Sequence, residues 1–266
     1  MIRLAIRVSR DQAELVLAEL AELAPGGLEE RDIDADTVEY AIYGAPGELP
    51  ELPDIGTIRA AGGIEVSTSE LPDDWDERWR SFHTALDVGV LRVRPAWEPA
   101  RDGALDVVID PGQAFGTGAH PSTRLTLQLL VEVAAEGALA DWGCGSGVLA
   151  IAAARLGFAP VLACDHEEAA VAATGAAASA NGVNVAVSRC DLRRVPGPWA
   201  PTVTANLVRP LLLEVAALME EPPERLIASG LETFEVDEVV AAFGRRGLRL
   251  DARRDGDGWS AILLVR

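Results

Sequence analysis

Hydrophobic and polar residues follow different spacings before and after residue 105, and the two patterns predict two kinds of fold. Before it, residues 2–8 alternate as in a strand, and residues 11–23 carry apolar side chains at helical spacing. The further elements expected in this part are strands at 28–33, 37–43 and 64–70 and a short helix within 53–61. This order predicts a small ferredoxin-like α+β domain over residues 1–66.

From residue 105 onward, strand-like and helix-like runs alternate. The strands are expected at 105–109, 138–142, 160–164, 184–188, 202–206 and 225–229, and the helices at 121–135, 147–156, 167–180, 210–219 and 235–246. Such alternation implies a parallel sheet covered by helices on both faces. Two final strand-like runs, 247–254 and 259–265, flank the turn signal DGDG and predict an antiparallel hairpin. Plain dinucleotide folds finish on a parallel strand instead.

A linker separates the two patterned regions. The stretch 67–84 leads into a predicted helix that carries Trp75, Trp79 and Phe82 on one face. This aromatic stripe either packs the helix onto the larger domain, which is the more common use, or forms a lid over a site. The expected division of the chain is residues 1–66, a linker helix with an entry strand over 67–100, and a larger domain over 101–266.

Composition and charge limit the class of protein. The 266 residues are 49% hydrophobic, which supplies a full core, and no apolar run approaches the ~20 residues that span a bilayer. The chain starts with charges where a signal peptide needs its apolar stretch, so we expect a soluble cytoplasmic protein without membrane association. The formal net charge is −19, and all 23 basic residues are arginine. An acidic surface keeps a protein soluble, and it also disfavours direct nucleic-acid binding and favours basic partners.

The cysteines do not indicate a disulfide framework or a metal site. Cys144, Cys164 and Cys190 are too few for the first and lack the C-x-x-C spacing of the second. We interpret them as small buried hydrophobic residues in a reducing compartment, and we expect no metal.

A glycine-rich turn between a predicted strand and helix marks a candidate nucleotide site. In DWGCGSG, Gly143, Gly145 and Gly147 let the backbone turn sharply near a ligand, which faces the positive end of the next helix. The spacing differs from the G-x-G-x-x-G of a dinucleotide site, which places pyrophosphate on the helix terminus. Asp165 ends the next strand, where an acid binds ribose hydroxyls, and Asp191 follows the strand after that, near an adenine amino group. These features describe a pocket that binds adenosine but has no phosphate-binding site. S-adenosylmethionine is the common cofactor that such a pocket binds.

Asn206 ends a strand that is predicted to be buried between neighbours, where a polar side chain is costly unless it is used. In methyltransferases that act on amino groups, this strand end faces the methyl acceptor. We therefore interpret Asn206 as the catalytic residue, which orients an amine and also touches the cofactor. The alternative is that Asn206 only caps the helix that begins at Arg209 or Pro210.

The loop DPGQAFGTGAHPST lies immediately before the N-terminus of an amphipathic helix. The hydroxyls of Ser122 and Thr123 can reach a carboxylate or cap this helix. We interpret the loop as an amino-acid clasp and lid over the methionine half of the cofactor. His120 is a candidate base, although a single histidine before proline is more often structural.

Five segments carry a resemblance to a known family. They are DPGQAFGTGAHPSTRLTLQLL, DWGCGSGVLAIAAARLG, ANGV at 180–183, ANL at 205–207 and SGL at 229–231. Together they resemble the PrmA family, bacterial methyltransferases that modify amino groups of large-subunit ribosomal protein eleven. LRVRPAW at 91–97 is similar to that family's entry strand, whereas over residues 1–66 the similarity is only topological. The resemblance implies cofactor contacts at Thr123, Gly143, Asp165 and Asn206, with Phe115, Gly116, Thr117 and Gly118 lining the methionine end.

The resemblance implies a Rossmann-like class I S-adenosylmethionine-dependent methyltransferase fold with seven strands and a C-terminal antiparallel hairpin in residues 101–266. It also implies that residues 1–66 recognise the substrate and that the enzyme methylates lysine or N-terminal amino groups of a large-subunit ribosomal protein. The chain departs from the family at Asp165-His166-Glu167-Glu168, where the family usually has D-I-D-P. This departure concerns the purine pocket more than the reaction.

Three alternatives are open. A same-fold N-methyltransferase that acts on another protein or a small amine would differ mainly in the N-terminal domain. A nicotinamide oxidoreductase would need G-x-G-x-x-G and would lack the GTGAHPST loop. A binding module that has lost catalysis is opposed by the intact Asp165, Asn206 and glycines.

Overall fold

The computed structural model describes residues 2–13, 16, 20, 29–34, 36–44, 65–70, 84–110 and 120–266. The chain divides into two compact units, Met1–Phe82 and His83–Arg266. Of the helices within the described ranges, none is long and apolar enough to cross a membrane.

The smaller unit contains a four-stranded antiparallel sheet. Its strands are β1 (Ile2–Ser9), β2 (Glu29–Asp32), β3 (Thr37–Gly44) and β4 (Glu65–Glu70), in the order β2-β3-β1-β4. A short 3-10 helix at Arg10–Gln12 follows β1. Alternate residues of β1 and β3 form one apolar cluster, which comprises Leu4, Ile6, Val8, Val38, Tyr40 and Ile42 with Ala13, Val16 and Leu20. This alternation is the period-two pattern from which the strands are predicted.

Part of the predicted small domain falls outside the described residues. The helix expected within 53–61 and most of the one expected at 11–23 lie outside the described residues, so the ferredoxin-like topology stays a prediction. The strand β4 continues to Glu70, so its sheet extends past the expected domain end at residue 66.

The larger unit is built on a seven-stranded sheet. Its strands are β8 (Leu139–Trp142), β9 (Val161–Asp165), β10 (Val185–Arg189), β11 (Thr202–Asn206), β12 (Arg225–Glu232), β13 (Arg249–Gly256) and β14 (Trp259–Val265). Their order is β10-β9-β8-β11-β12-β14-β13. The first five run parallel, and β14 pairs antiparallel with both β12 and β13. The predicted doubly wound sheet with a terminal hairpin is therefore confirmed.

Helices cover both faces of this sheet, as the alternating pattern predicts. They are α1 (Pro121–Glu132), α2 (Val148–Leu156), α3 (Glu168–Ala180), α4 (Arg209–Leu218) and α5 (Val236–Gly244). One apolar cluster joins the sheet to α1, α2 and α3, and a second joins it to α4 and α5. Every residue of β8 is buried, because a parallel strand between two helical layers has no face in water.

A three-stranded sheet stands apart from the large one. It consists of β5 (Leu86–Val88), β6 (Leu91–Arg94) and β7 (Leu105–Val108), in which β5 and β6 are antiparallel and β6 and β7 are parallel. The sequence pattern treats 105–109 as the first strand of the alternation, but β7 pairs only within this small sheet among the described strands. Val88, Leu91 and Val93 belong to the same apolar cluster as α2, so the expected entry strand packs into the larger unit.

A buried carboxylate holds two strands of the smaller unit together. Glu39 of β3 is 3% exposed and accepts hydrogen bonds from Arg3 and Arg7 of β1, the latter at 2.7 Å. A charge that is removed from water is tolerated only when it is paired in this way. Glu65 of β4 also lies near Arg7, at 3.6 Å, but its side chain is 73% exposed.

We predict that Glu39→Gln destabilises the smaller unit by about 1–3 kcal/mol, because it leaves two arginines without the buried charge that they pair with. Hydrogen exchange of the β1 and β3 amides measures this change directly. Glu65→Gln is the matched control on the same arginine, and we expect it to change stability by less than about 1 kcal/mol because the pair is exposed. Equal losses in the two variants would contradict this account.

Candidate active site

The carboxyl ends of the five parallel strands meet at one edge of the large sheet, which we call the carboxyl edge. Gly143, Asp165 and Asn206 all lie there, at the ends of β8, β9 and β11. Ligands of open α/β sheets bind outside this edge. The structure therefore places at one edge three predicted site residues that are up to 63 positions apart in the sequence.

The glycine turn is shaped by contacts that exclude side chains. Gly143 and Gly147 have φ values of 74° and 83°, which favour glycine. A Cβ at Gly143 would overlap the Leu207 side chain, and a Cβ at Gly147 would lie 3.0 Å from Thr174. Gly147 is the N-cap of α2 and has no capping side chain, and the Val148 N–H of the first turn donates instead to the Ser146 hydroxyl at 3.4 Å.

Asp165 is anchored to this turn. Its carboxylate accepts the backbone N–H of Gly145 at 3.0 Å and that of Glu167 at 3.1 Å, and the residue is 9% exposed. The ring of His166 lies 3.2 Å from the same carboxylate. The acid is thus oriented by two backbone donors while its remaining lone pairs can still accept hydrogen bonds.

Asp191 has a different environment. Its carboxylate accepts hydrogen bonds from the side chain of Arg193, at 2.7 Å, and lies 3.3 Å from Arg194. The hydrogen bond from Arg193 lowers the pKa of Asp191. The role of Asp191 at an adenine amino group stays a prediction, because the arginines already occupy part of its acceptor capacity.

Asn206 contacts Thr123 across 83 positions of sequence. The Asn206 side-chain amide donates to the Thr123 hydroxyl at 3.1 Å, and Thr123 is 1% exposed. The helix α4 begins at Arg209 with Val208 as its N-cap and no capping side chain, so the alternative in which Asn206 caps this helix is wrong. Asn206 instead ties the end of β11 to the first turn of α1.

Ser229 also holds the first turn of α1 in place. Ser229 of β12 pairs in register with Asn206, and its hydroxyl lies 2.9 Å from the carbonyl of Ser260 and 3.2 Å from that of Ser122. Sequence reasoning noticed this serine only as part of a family motif and gave it no function. The first turn of α1 is therefore held by the ends of β11 and β12.

His120 has a structural place at the start of α1. Its Nδ1 accepts the backbone N–H of Ser122 at 3.3 Å and so caps the helix, and its ring packs edge-on against Trp259 at 4.6 Å. Burial lowers the pKa of His120, which favours the neutral ring that can accept this hydrogen bond. The expected lid residues Phe115, Gly116, Thr117 and Gly118 lie outside the described residues.

Sequence reasoning missed Asp141, the acid next to the glycine turn. It lies in β8, is fully buried and accepts a hydrogen bond from the Thr204 hydroxyl at 2.8 Å, while its Oδ2 has no partner among the described residues. Burial raises the pKa of Asp141 to about 7. The sequence feature that could have revealed Asp141 is a charged residue inside an otherwise apolar strand.

Two of the three cysteines are buried packing residues as the sequence predicts, whereas Cys190 is only half-buried. Cys144 and Cys164 are buried and free. Burial raises the pKa of the Cys144 thiol to about 12, so it is not a thiolate at neutral pH.

Comparison with known proteins gives a consistent result. Residues 53–266 match the family model described as ribosomal protein L11 methyltransferase (PrmA). A ribosomal protein L11 methyltransferase of Symbiobacterium thermophilum is 36% identical over 73% of this chain and 66% of its own length. One from Burkholderia vietnamiensis is 31% identical over 99% of this chain and 97% of its own length.

Solved structures share the fold. A ribosomal protein L11 methylase of Lactobacillus delbrueckii subsp. bulgaricus superposes with a TM-score of 0.61 at 24% identity, over 69% of this chain and 99% of its own. A tRNA (uracil-54, C5)-methyltransferase of Pyrococcus abyssi, solved with S-adenosyl-L-homocysteine, superposes with a TM-score of 0.51 at 19% identity. The superposition covers 77% of this chain and 47% of that protein.

We predict a pH dependence of stability that originates at Asp141. Because its pKa rises from 3.8 to about 7 on folding, the folded chain holds this proton more tightly than the unfolded chain. The contribution of Asp141 to stability is therefore full at low pH and is lost as pH rises from about 4 to about 7, with an upper limit of about 4 kcal/mol. Urea unfolding of the wild type and Asp141→Asn at pH 5 and pH 8 measures the change.

In that experiment the Asn variant serves as the control, since it keeps an acceptor for Thr204 but does not titrate. The wild type should lose stability relative to Asp141→Asn between pH 5 and pH 8. A constant difference between the two proteins would show that Asp141 does not titrate in this interval.

Proposed function

We propose that this chain, which belongs to the ribosomal protein L11 methyltransferase (PrmA) family of S-adenosylmethionine-dependent methyltransferases, transfers methyl groups to lysine or N-terminal amino groups of ribosomal protein L11. The observation that carries the proposal is the joint position of the glycine turn, Asp165 and Asn206 at one edge of the sheet. The substrate in this proposal is inferred from the names of the relatives.

The residues of the carboxyl edge fit S-adenosylmethionine. The turn must be glycine at Gly143 and Gly147, where a Cβ would press against Leu207 or Thr174, and Asp165 is an anchored, poorly exposed carboxylate beside this turn. Asp165 would bind the ribose, while Gly143 and Gly145 would let the backbone approach the nucleoside. When bound, S-adenosylmethionine supplies a methyl group on a positively charged sulfur.

Asn206 has the chemistry to orient an acceptor amine. Its amide N–H already donates to Thr123, so its side-chain oxygen is the atom left to accept an N–H from the amine. A side chain that is fixed at its nitrogen presents this oxygen in one direction. Alignment of this kind can contribute up to about 7–11 kcal/mol to a bimolecular step.

The proton of the acceptor is the larger obstacle. A lysine with a pKa near 10.4 must lose its proton before it can attack, which costs about 4.6 kcal/mol at pH 7. Desolvation at the carboxyl edge, next to a positive charge, lowers the pKa of the amine and reduces this cost. With His120 committed to capping α1, we assign no dedicated base, and the proton passes to water.

Residues 1–66 are proposed to recruit the substrate. This region contains 14 acidic and 5 basic residues, which favours contact with a basic protein. A module that holds the substrate near the site acts through effective concentration, which is often in the millimolar range. The methyltransferase chemistry is then confined to the larger unit.

We predict that Asp165→Ala lowers the affinity for S-adenosylhomocysteine by one to two orders of magnitude, because it removes charged hydrogen bonds worth roughly 1.5–3 kcal/mol. Isothermal titration calorimetry measures the loss. Asp165→Asn separates charge from shape, since its amide oxygen can still accept the Gly145 N–H, and should give a smaller loss. Binding of NAD in place of S-adenosylhomocysteine would refute the proposed cofactor.

We predict that Asn206→Ala lowers turnover by about a hundred-fold while cofactor affinity changes much less, because its role is to orient the amine. Mass spectrometry of ribosomal protein L11 incubated with labelled S-adenosylmethionine measures the methylation. Thr123→Val is the control, since it removes the hydrogen bond between the two side chains but keeps the amide. Equal losses in both variants would mean that Asn206 acts only by anchoring α1.

A further inference from the structure

A groove lies beside the segment that joins β10 to β11. In residues 190–201, all of which the structure describes, this segment forms turns and extended backbone without a helix. The resulting cavity has a volume of about 170 Å³. We call it the Trp groove, and its apolar lining includes Trp142, Leu192, Val195, Trp199, Leu218 and Met219.

The Trp groove has a fixed floor and an open rim. The Trp142 indole N–H donates to the carbonyl of Pro198 at 3.0 Å, and a Cβ at Gly197 would overlap the same indole ring. The joining segment is therefore pressed against the sheet. At the rim, Val195 and Trp199 are each 48% exposed, so the fold leaves large apolar side chains in contact with water.

Its size selects one kind of occupant. Pockets for drug-sized ligands and cofactors measure roughly 300–1,000 Å³, which is larger than this groove. An apolar cavity of about 150 Å³ holds one benzene ring. The Trp groove therefore admits a single aromatic or large aliphatic side chain.

The charge of the rim indicates which residues of a partner would flank the side chain that enters the groove. Glu220 and Glu221 line the groove, and neither forms an ion pair in the part of the chain that the structure describes. The two arginines of the joining segment, Arg193 and Arg194, both pair with Asp191. The uncompensated charge is thus negative. A second copy of this chain, with a net charge of −19, would be repelled.

We propose that the Trp groove is a docking site for a basic segment of the protein substrate. One large apolar side chain enters the groove, and flanking lysine or arginine residues face Glu220 and Glu221. The proposal rests on the proposed function in identifying this partner as the methylated protein. The floor of the groove reaches Trp142, the residue before Gly143, while Trp199 and Glu220 lie toward the amino ends of β11 and β12. A substrate docked here therefore spans the face of the sheet beside the glycine turn.

Steady-state kinetics of the full chain with ribosomal protein L11 test the proposal. Trp199→Glu should raise KM for the protein at least about ten-fold, the loss typical of a central anchor, without a change in kcat or in the affinity for S-adenosylhomocysteine. The double variant Glu220→Lys, Glu221→Lys should also raise KM, with an effect that shrinks at high salt.

Matched controls change exposed residues on other elements. Leu250→Glu introduces the same charge at a side chain of β13 that is 42% exposed. Asp102→Lys with Asp251→Lys repeats the double charge reversal at exposed positions. Both controls should leave KM unchanged.

Direct binding of ribosomal protein L11, measured by calorimetry, separates the two proposals. If the wild type binds and methylates the protein but both groove variants keep its KM, the docking site is wrong and the proposed function stands. If the wild type binds without methylation and Trp199→Glu weakens binding, the docking site stands and the proposed function fails. An unchanged KM for Trp199→Glu, whatever its thermal stability, would overturn the proposal.

Discussion

A polar side chain that leaves water must find a hydrogen-bond partner, and this requirement fixes how separate parts of the chain meet at the carboxyl edge. Thr123 and Ser229 are both buried there, and each is satisfied by a group from a distant element. Their bonds hold the first turn of α1 against the ends of β11 and β12. The position of Asn206, and with it the proposed acceptor site, depends on this pairing.

Three carboxylates near this edge illustrate how environment sets chemistry on one scaffold. Asp165 is oriented by backbone N–H groups, Asp191 is engaged by arginines, and Asp141 is fully buried and accepts a hydrogen bond from the Thr204 hydroxyl. The Asp165 carboxylate is suited to accept hydrogen bonds from neutral hydroxyl groups. The last has a raised pKa and so acts more as a packed polar group than as a permanent charge.

Local sequence signals were sufficient to predict the glycine turn, the position of Asp165 at the end of a strand, and the alternation of strands and helices. A turn that needs positive φ must use glycine, and a strand buried on both faces must be apolar, so both leave a trace in a short stretch of sequence. Pairing between strands leaves no such trace, which is why β7 could not be separated from the large sheet. The contact between Asn206 and Thr123 and the Trp groove likewise depend on tertiary placement that periodicity does not encode.

The hairpin at the end of the sheet also sets the timing of assembly. The strand β14 lies between β12 and β13, so an interior position of the sheet stays empty until residue 265 has been synthesised. Trp259 of this strand packs against His120, which caps α1. During vectorial synthesis on the ribosome, the parallel strands can associate early, but the acceptor side is completed only when β14 inserts. A chain that stops before β14 therefore lacks the ring contact to His120 and the Ser260 carbonyl that binds Ser229, two of the contacts that hold the start of α1 and the end of β12.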